Sequence, residues 1–215
     1  MNFKGVLFDL DGTLVNSLED IANAMNSVLS HYNYPTHTLA DYKSFTGKGI
    51  LSLVQVALPK TARDEKTVTS CHQQFLEIYS ENCTVNTKPY DGIVALLDEL
   101  KARQLKLAVF SNKADHFTKK IVETLMPGYF NSVAGLKIEA YKKPNPLVAL
   151  QICEQLNIKP EETIYVGDTN VDMQTATNAT MYGVGVLWGF RSKEELIENG
   201  AKQTLNHPLD LLQSL

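Results

Sequence analysis

"FKGVLFDLDGTLV" (residues 3–15) decides the fold. An apolar run ends in two carboxylates, Asp9 and Asp11, and the pair Asp11-Gly12 is a turn signal directly behind it. A short continuous apolar stretch bounded by a turn reads as a strand buried on both faces, the kind found in parallel sheets. Side chains alternate along a strand, so Asp9 and Asp11 point the same way if the extended backbone persists. Two carboxylates about 5 Å apart repel by roughly 3 kcal/mol at an effective dielectric near 20. A bound partner must offset that cost.

Working outward from this strand, a helical segment follows. Ser17 with Asp20 three residues later has the pattern of a capping box. Leu18, Ile21, Ala22, Met25, Leu29 and Tyr32 keep helical spacing until Pro35 stops them. Further helices are expected around 49–57 and 62–82, the latter with Val68, Cys71, Phe75, Ile78 and Tyr79 on one face, and no strand is evident between Phe45 and Cys83. After Lys88-Pro89 the pattern becomes alternating: a helix on Ile93, Leu96, Leu97 and Leu100, then the strand "LKLAVFSN" (105–112). A helix through Phe117, Ile121 and Leu125 follows, with "NSVAGL" (131–136), a helix near 146–156, "TIYVGD" (163–168), a short helix and "YGVGVLW" (182–188). Such alternation predicts an α/β fold: a Rossmann-like, doubly wound parallel sheet core interrupted by a small α-helical cap. The expected boundaries are 1–14 and 86–215 for the catalytic core and 15–85 for the cap.

The 215-residue chain has a 44% hydrophobic and 20% charged composition and a net charge of −4, ordinary for a globular protein. With no basic block, nucleic acid is not expected as a partner. No apolar run reaches membrane-spanning length, and the short N-terminal run meets its acids too soon for a signal peptide. Three cysteines without a CxxC pair (Cys71, Cys83, Cys153) read as reduced packing residues. The expectation is a cytoplasmic enzyme, monomer or homodimer, acting on a small phosphorylated metabolite with no membrane partner.

Ligands of doubly wound sheets gather beyond the carboxyl ends of the strands. Those ends carry Asp9 and Asp11, then Ser111 and Asn112, then Asp168, while Lys143 lies in a loop before a helix. Clustered oxygen ligands suit Mg²⁺, which binds through one or two carboxylates plus substrate phosphate. Ionised Asp9 and Asp168 balance one such ion, and Lys143 offsets part of a phosphate dianion. Asp9 is thereby free to attack phosphorus and form an aspartyl-phosphate. Asp11 serves as general acid and base, and Ser111 as hydrogen-bond donor. The amides of Asn112 and Lys113 are expected to open a helix that favours anions, giving both residues a substrate-binding role. Asp172, one turn past Asp168, is placed to hold Lys143 or a metal-bound water. Lys48 in "TGKGILSL" (46–53) is a candidate for the far end of the substrate, because a cap should close over the rim. Calcium-loop spacing fails: counted from Asp9, positions six and twelve are Leu14 and Asp20, and counted from Asp168 position six is Met173. The histidines lack ligand spacing, and no GxSxG accompanies them.

"FDLDGTLV" (8–15), "SNK" (111–113), "KKPNP" (142–146) and "GDTNVDM" (167–173) resemble, in order, the four motifs of the haloacid dehalogenase superfamily. Within it the chain looks most like phosphoglycolate phosphatases, through Lys113, "PYDGI" (89–93), and "WGF" (188–190) with "ENGAKQTL" (198–205). The resemblance implies Asp9 as nucleophile, Asp11 as acid/base, and Mg²⁺ held by Asp9, Asp168 and the backbone carbonyl of Asp11. It also implies alternatives: β-phosphoglucomutase-type phosphoryl transfer, pyrophosphate hydrolysis, or a non-catalytic regulator on the same scaffold. Dehalogenase and phosphonatase chemistry fit less well, since relatives that run them generally lack an acid where Asp11 stands. Ala114, Thr180 and the "PYDG" at 89–92 depart from the family's usual Pro, Gly and "PYPG".

Overall fold

The structure is a computed structural model and describes residues 3–215. It divides into two units, residues 17–88 and residues 1–16 with 89–215. The two chain crossings carry the short extended pieces β2 (Val15–Asn16) and β3 (Lys88–Pro89).

The larger unit is built on a six-stranded parallel sheet: β1 (Gly5–Phe8), β4 (Lys106–Ala114), β5 (Ser132–Leu136), β6 (Thr163–Gly167), β7 (Tyr182–Val186) and β8 (Gln203–Leu205). Their lateral order is β5-β4-β1-β6-β7-β8. Counted along the chain within this sheet, that is third, second, first, fourth, fifth, sixth, the doubly wound order of a Rossmann-like core. Every residue of β1 and of β6 is buried, because helices cover both faces. Leu7, Ala108, Phe110 and Tyr165 pack on one face against Ala149, Ile152 and Cys153 of α7 (Leu147–Leu156) and Ala176 of α8 (Asn170–Asn178). Helices α5 (Ile93–Ala102) and α6 (Asp115–Leu125) pack on β4, and α6 also on β5. The sequence pattern does not reveal β8 or the six-residue α9 (Lys193–Glu198); both are too short to establish a period.

Strand β4 differs from expectation at its end. It continues through Ser111, Asn112 and Lys113 to Ala114, which pairs with Leu136 of β5 after a register shift. The amides of Asn112 and Lys113 therefore belong to an extended strand end, and α6 begins only at Asp115. Thr180 follows α8 at φ +59°, a left-handed conformation that is costly for a β-branched residue and explains the family's preference for glycine there.

The smaller unit is all helical: α1 (Leu18–His31), α2 (Leu39–Phe45), α3 (Ile50–Ala57) and α4 (Glu65–Asn82). Met25, Val28 and Leu29 of α1, Leu53 and Val54 of α3, and Val68, Cys71, Phe75 and Tyr79 of α4 are buried, as the helical spacing requires. Helix α2 begins with a Thr38–Asp41 capping box that the periodicity alone does not reveal. Conversely, Ser17 stands at the N-cap of α1 without a side-chain cap bond. Asp20 turns instead to residues 86 and 87. It accepts from the Asn86 N–H (3.0 and 3.1 Å), the Asn86 side-chain amide (2.9 Å), the Thr87 N–H (2.8 Å) and the Thr87 hydroxyl (2.6 Å). No helix among the described residues is long and apolar enough to cross a membrane.

Candidate active site

Strand β1 lies between β4 and β6, at the point where the strand order reverses. Phe8 is in register with Val109 on one side and Val166 on the other. Asp9 thus leaves the sheet beside Ser111, two residues past Val109, and Asp168, two residues past Val166. The Asp9 N–H donates to the Val166 carbonyl at 2.9 Å, which keeps the chain in place just beyond the strand.

Carboxylate oxygens of Asp9, Asp168 and Asp172 lie within 4.8 Å of one another, and all three residues are buried. One ammonium stands among them. Lys143 Nζ is 2.6 Å from Asp172 Oδ1 and 2.8 Å from Asp9 Oδ1, and it donates to the Phe110 carbonyl at 3.2 Å. The Phe110 and Tyr165 rings flank it, with centroids at 5.6 and 5.9 Å. Its hydrogen bonds are aimed at Asp172 and Phe110, so Asp9 Oδ1 is an ion-pair neighbour with no aligned hydrogen bond and stays an orphaned buried acceptor.

Burial and the neighbouring Asp172 push the Asp9 carboxyl up to about 7, against the opposite pull of Lys143. Asp168 is raised well above the usual carboxylate range by burial and by Asp172 and Asp9, opposed by the bonds it receives from the Phe190 amide and Thr13. Burial alone would lower the Lys143 amine, but Asp172 and Asp9 outweigh it and hold the group charged. Three carboxylates facing one ammonium leave two formal negative charges uncompensated when all are ionised. That deficit, the oxygen-only donor set and the orphaned Asp9 Oδ1 fit one hard divalent cation.

The acids are not equivalent. Asp172 Oδ2 accepts from the Thr169 N–H at 3.0 Å and the Thr169 hydroxyl at 2.5 Å, while Oδ1 takes Lys143, so this carboxylate is engaged on both oxygens. Asp168 accepts the Thr13 hydroxyl on Oδ1 (3.0 Å) and the Phe190 N–H on Oδ2 (2.9 Å). It is held between two glycines. Gly12, at φ +85°, and Gly189 both pass so close that a Cβ on either would collide with the Asp168 side chain. Trp188 Nε1 donates to the Thr13 carbonyl at 3.0 Å and ties the same two loops together. Thr13, Thr169 and the Phe190 amide were not singled out from the sequence. The trace they leave is their position within "DGT" (11–13), "GDT" (167–169) and "WGF" (188–190); Thr13 and Thr169 donate through their hydroxyls, whereas the Phe190 donor is main-chain and has no side-chain signature.

Asp11 leaves the trio. Its carboxylate, 18% exposed, receives Lys113 Nζ at 3.0 Å on each oxygen, and the Lys113 side chain is 2% exposed. Ser111 is buried, and its Oγ accepts the Lys113 N–H at 3.3 Å. The Asn112 carboxamide oxygen accepts the Lys143 N–H at 2.8 Å, which fixes the Lys143 backbone. Asp9, Asp11, Ser111, Asn112, Lys113, Lys143, Asp168 and Asp172 are thus linked within the larger unit. Lys48 belongs to the helical unit, exposed in the loop between α2 and α3.

The profile of the haloacid dehalogenase-like hydrolases matches residues 6–186. This chain belongs to that family. It is 34% identical over 209 residues to a phosphoglycolate phosphatase of Aquifex aeolicus (strain VF5), covering 97% of this chain and 94% of the relative. A phosphoglycolate phosphatase of Chromobacterium violaceum is 33% identical over 214 residues, covering 98% and 95%. A crystal structure of a protein from Lactobacillus delbrueckii subsp. bulgaricus superimposes with a TM-score of 0.93 at 28% identity, covering 100% of this chain and 98% of the other. Within the haloacid dehalogenase-like hydrolases the chain is therefore phosphoglycolate phosphatase-like.

Proposed function

We propose that the protein is a Mg²⁺-dependent phosphatase that hydrolyses a small phosphomonoester, with 2-phosphoglycolate as its first candidate, through an aspartyl-phosphate on Asp9. The observation that carries this reading is the buried trio of acids around one lysine, with Asp9 Oδ1 left without an aligned hydrogen bond. A carboxylate so placed is available as a nucleophile, whereas a structural acid has its oxygens satisfied.

Asp9 and Asp168, with the Asp11 carbonyl, would hold the ion, which would supply positive charge against the phosphoryl oxygens. Lys143 adds a second positive charge and is kept in place by Asp172 below it and by Asn112 at its backbone. Asp9 attacks phosphorus; an Asp9–phosphorus bond forms as the bond to the ester oxygen breaks. Asp11 gives its proton to the departing alkoxide, then removes one from the water that hydrolyses the acyl phosphate. Ser111 donates to a phosphoryl oxygen from the end of β4. We assign the helical unit as the cap and Lys48 as a candidate contact for the substrate's far end. No observation favours the mutase or pyrophosphatase alternatives. Asp9→Asn, assayed on 2-phosphoglycolate with Mg²⁺, is expected to lose about 10³-fold or more in kcat, because the covalent route is removed. Undiminished turnover refutes the nucleophile.

A further inference from the structure

The two edges of the six-stranded sheet are finished differently. At one end β8 is three residues long, and the 3₁₀ turns of Pro208–Ser214 pack against it, with the Ser214 hydroxyl donating to Gln203 Oε1 at 2.8 Å. At the other end β5, "SVAGL" (132–136), is five residues long, and no strand pairs with its outer side among the described residues. It contains neither a charge nor a proline, the usual guards of an edge strand. Ser132 and Ala134 face α7, through the bond from the Ser132 hydroxyl to Gln155 and the packing of Ala134 on the core there. Val133 and Gly135 face α6, where a Cβ on Gly135 would meet Asp115 and Thr118. Two hollows adjoin along this edge, one of about 570 Å³ bordered by exposed Ile138 and Tyr141, the other of about 350 Å³ beside α6. Lys119 and Val133 line both. Helix α6 thus turns charges to the edge: Asp115 pairs with Lys119 at 2.9 Å and meets Lys137 at 3.6 Å, while Glu123 has no salt bridge among the described residues.

We propose that β5 pairs antiparallel with β5 of a second copy of this chain across a two-fold axis at Val133, doubling the sheet, and that Lys119 of each copy pairs with the partner's Glu123. A two-fold contact sets a patch against itself, so the patch must be self-complementary. This one is. Lys119 borders the hollow that reaches Leu136, and Glu123 only the one that reaches Phe130, so they stand toward opposite ends of Val133. A two-fold through Val133 exchanges those ends and brings each Lys119 to the partner's Glu123, twice by symmetry. The spacing agrees. Helix α6 packs on both β4 and β5, and a strand separation of about 4.8 Å then sets the two copies of α6 about 10 Å apart, the distance of packed helices. Pairing also gives the outer backbone groups of β5 partners and covers Val133, Ala134 and Leu136, each still partly exposed. A foreign peptide laid on β5 would gain the same backbone bonds. The order of charges along α6 favours the copy that repeats them in reverse.

Sedimentation velocity of the full chain is expected to show a dimer with a Kd below about 10 μM. Lys119→Glu and Glu123→Lys each set like charges together at both symmetric contacts, and each is expected to weaken the dimer at least about tenfold. Both side chains are exposed, so the variants are expected to fold. Mixed with each other, the two single variants carry opposite charges at both contacts and are expected to form a heterodimer about tenfold or more tighter than either homodimer. The Lys119→Glu/Glu123→Lys double variant is expected to return to within about threefold of the wild type. Val133→Cys places two thiols beside the axis and is expected to give a disulfide-linked dimer on mild oxidation, since Cys71, Cys83 and Cys153 are buried. A wild type still monomeric at about 100 μM overturns the pairing. So does a dimer that neither charge reversal weakens, a pair of single variants that gains nothing on mixing, or a Val133→Cys protein that stays unlinked.

Discussion

Each unit buries a carboxylate, Asp20 in one and Asp9 in the other, and the two are treated in opposite ways. Asp20 in the helical unit receives five hydrogen bonds from neutral donors of Asn86 and Thr87. Asp9 in the α/β unit lies among two other acids, shares one ammonium, and has an oxygen without an aligned donor. Asp20 uses its charge to pin residues 86 and 87 to α1. Asp9 shares the Lys143 ammonium with Asp172, and burial together with Asp172 raises its carboxyl to about 7. This contrast underlies the nucleophilic role we propose for Asp9.

Lys143→Met breaks the contrast most severely. It removes the ammonium that Asp9 and Asp172 share, so a loss of roughly 3–5 kcal/mol in urea unfolding is expected, together with loss of turnover. A change under about 1 kcal/mol would mean that the acids were already neutral and the pairing unimportant. Asp20→Ala comes next. It strands the donors of buried Thr87 and removes those of Asn86 from their partner, and denaturant unfolding is expected to show about 2–4 kcal/mol of destabilisation. Were that variant as stable as the wild type, the satisfied carboxylate would be no structural anchor.

Asp9→Asn changes stability by an amount that depends on pH. The folded Asp9 carboxyl binds its proton up to about 7, against an ordinary value of 3.8. Between those values the unfolded chain has released the proton and the folded chain has not. Stability of the metal-free protein therefore falls as pH rises from about 4 to about 7. In chelator, Asp9→Asn is expected to melt higher than the wild type at pH 7.5, by more than at pH 5. Millimolar Mg²⁺ is expected to raise the wild-type melting temperature and to narrow that gap. A difference that ignores both pH and Mg²⁺ would remove the electrostatic basis of the contrast.

The strands and most helices were legible because apolar residues repeat with the period of each element. The rim acids and Lys143 were legible because each follows a buried strand or sits in a loop before a helix. Partnerships were not. Asp20 had the spacing of a local cap, yet its donors lie 66 and 67 residues away. The sequence places Lys113 at a helix opening, but pairing of Ala114 with Leu136 extends the strand, and its side chain meets Asp11, 102 residues distant. In both cases a local signal yields to long-range contacts, made within the helical unit for Asp20 and along the sheet for Lys113.

The sequence by itself determined the alternating α/β plan, the helical interruption after the first strand, and which polar residues stand at strand ends. These follow from short-range patterns of burial and turn chemistry. Only the tertiary structure decided that Asp172 joins Asp9 and Asp168 around Lys143, that Asp11 goes to Lys113, and that Gly12 and Gly189 close on Asp168. Charge pairing between distant segments depends on ångström-scale distances, and these are set only when β6 lies against β1 and the loops above them are packed.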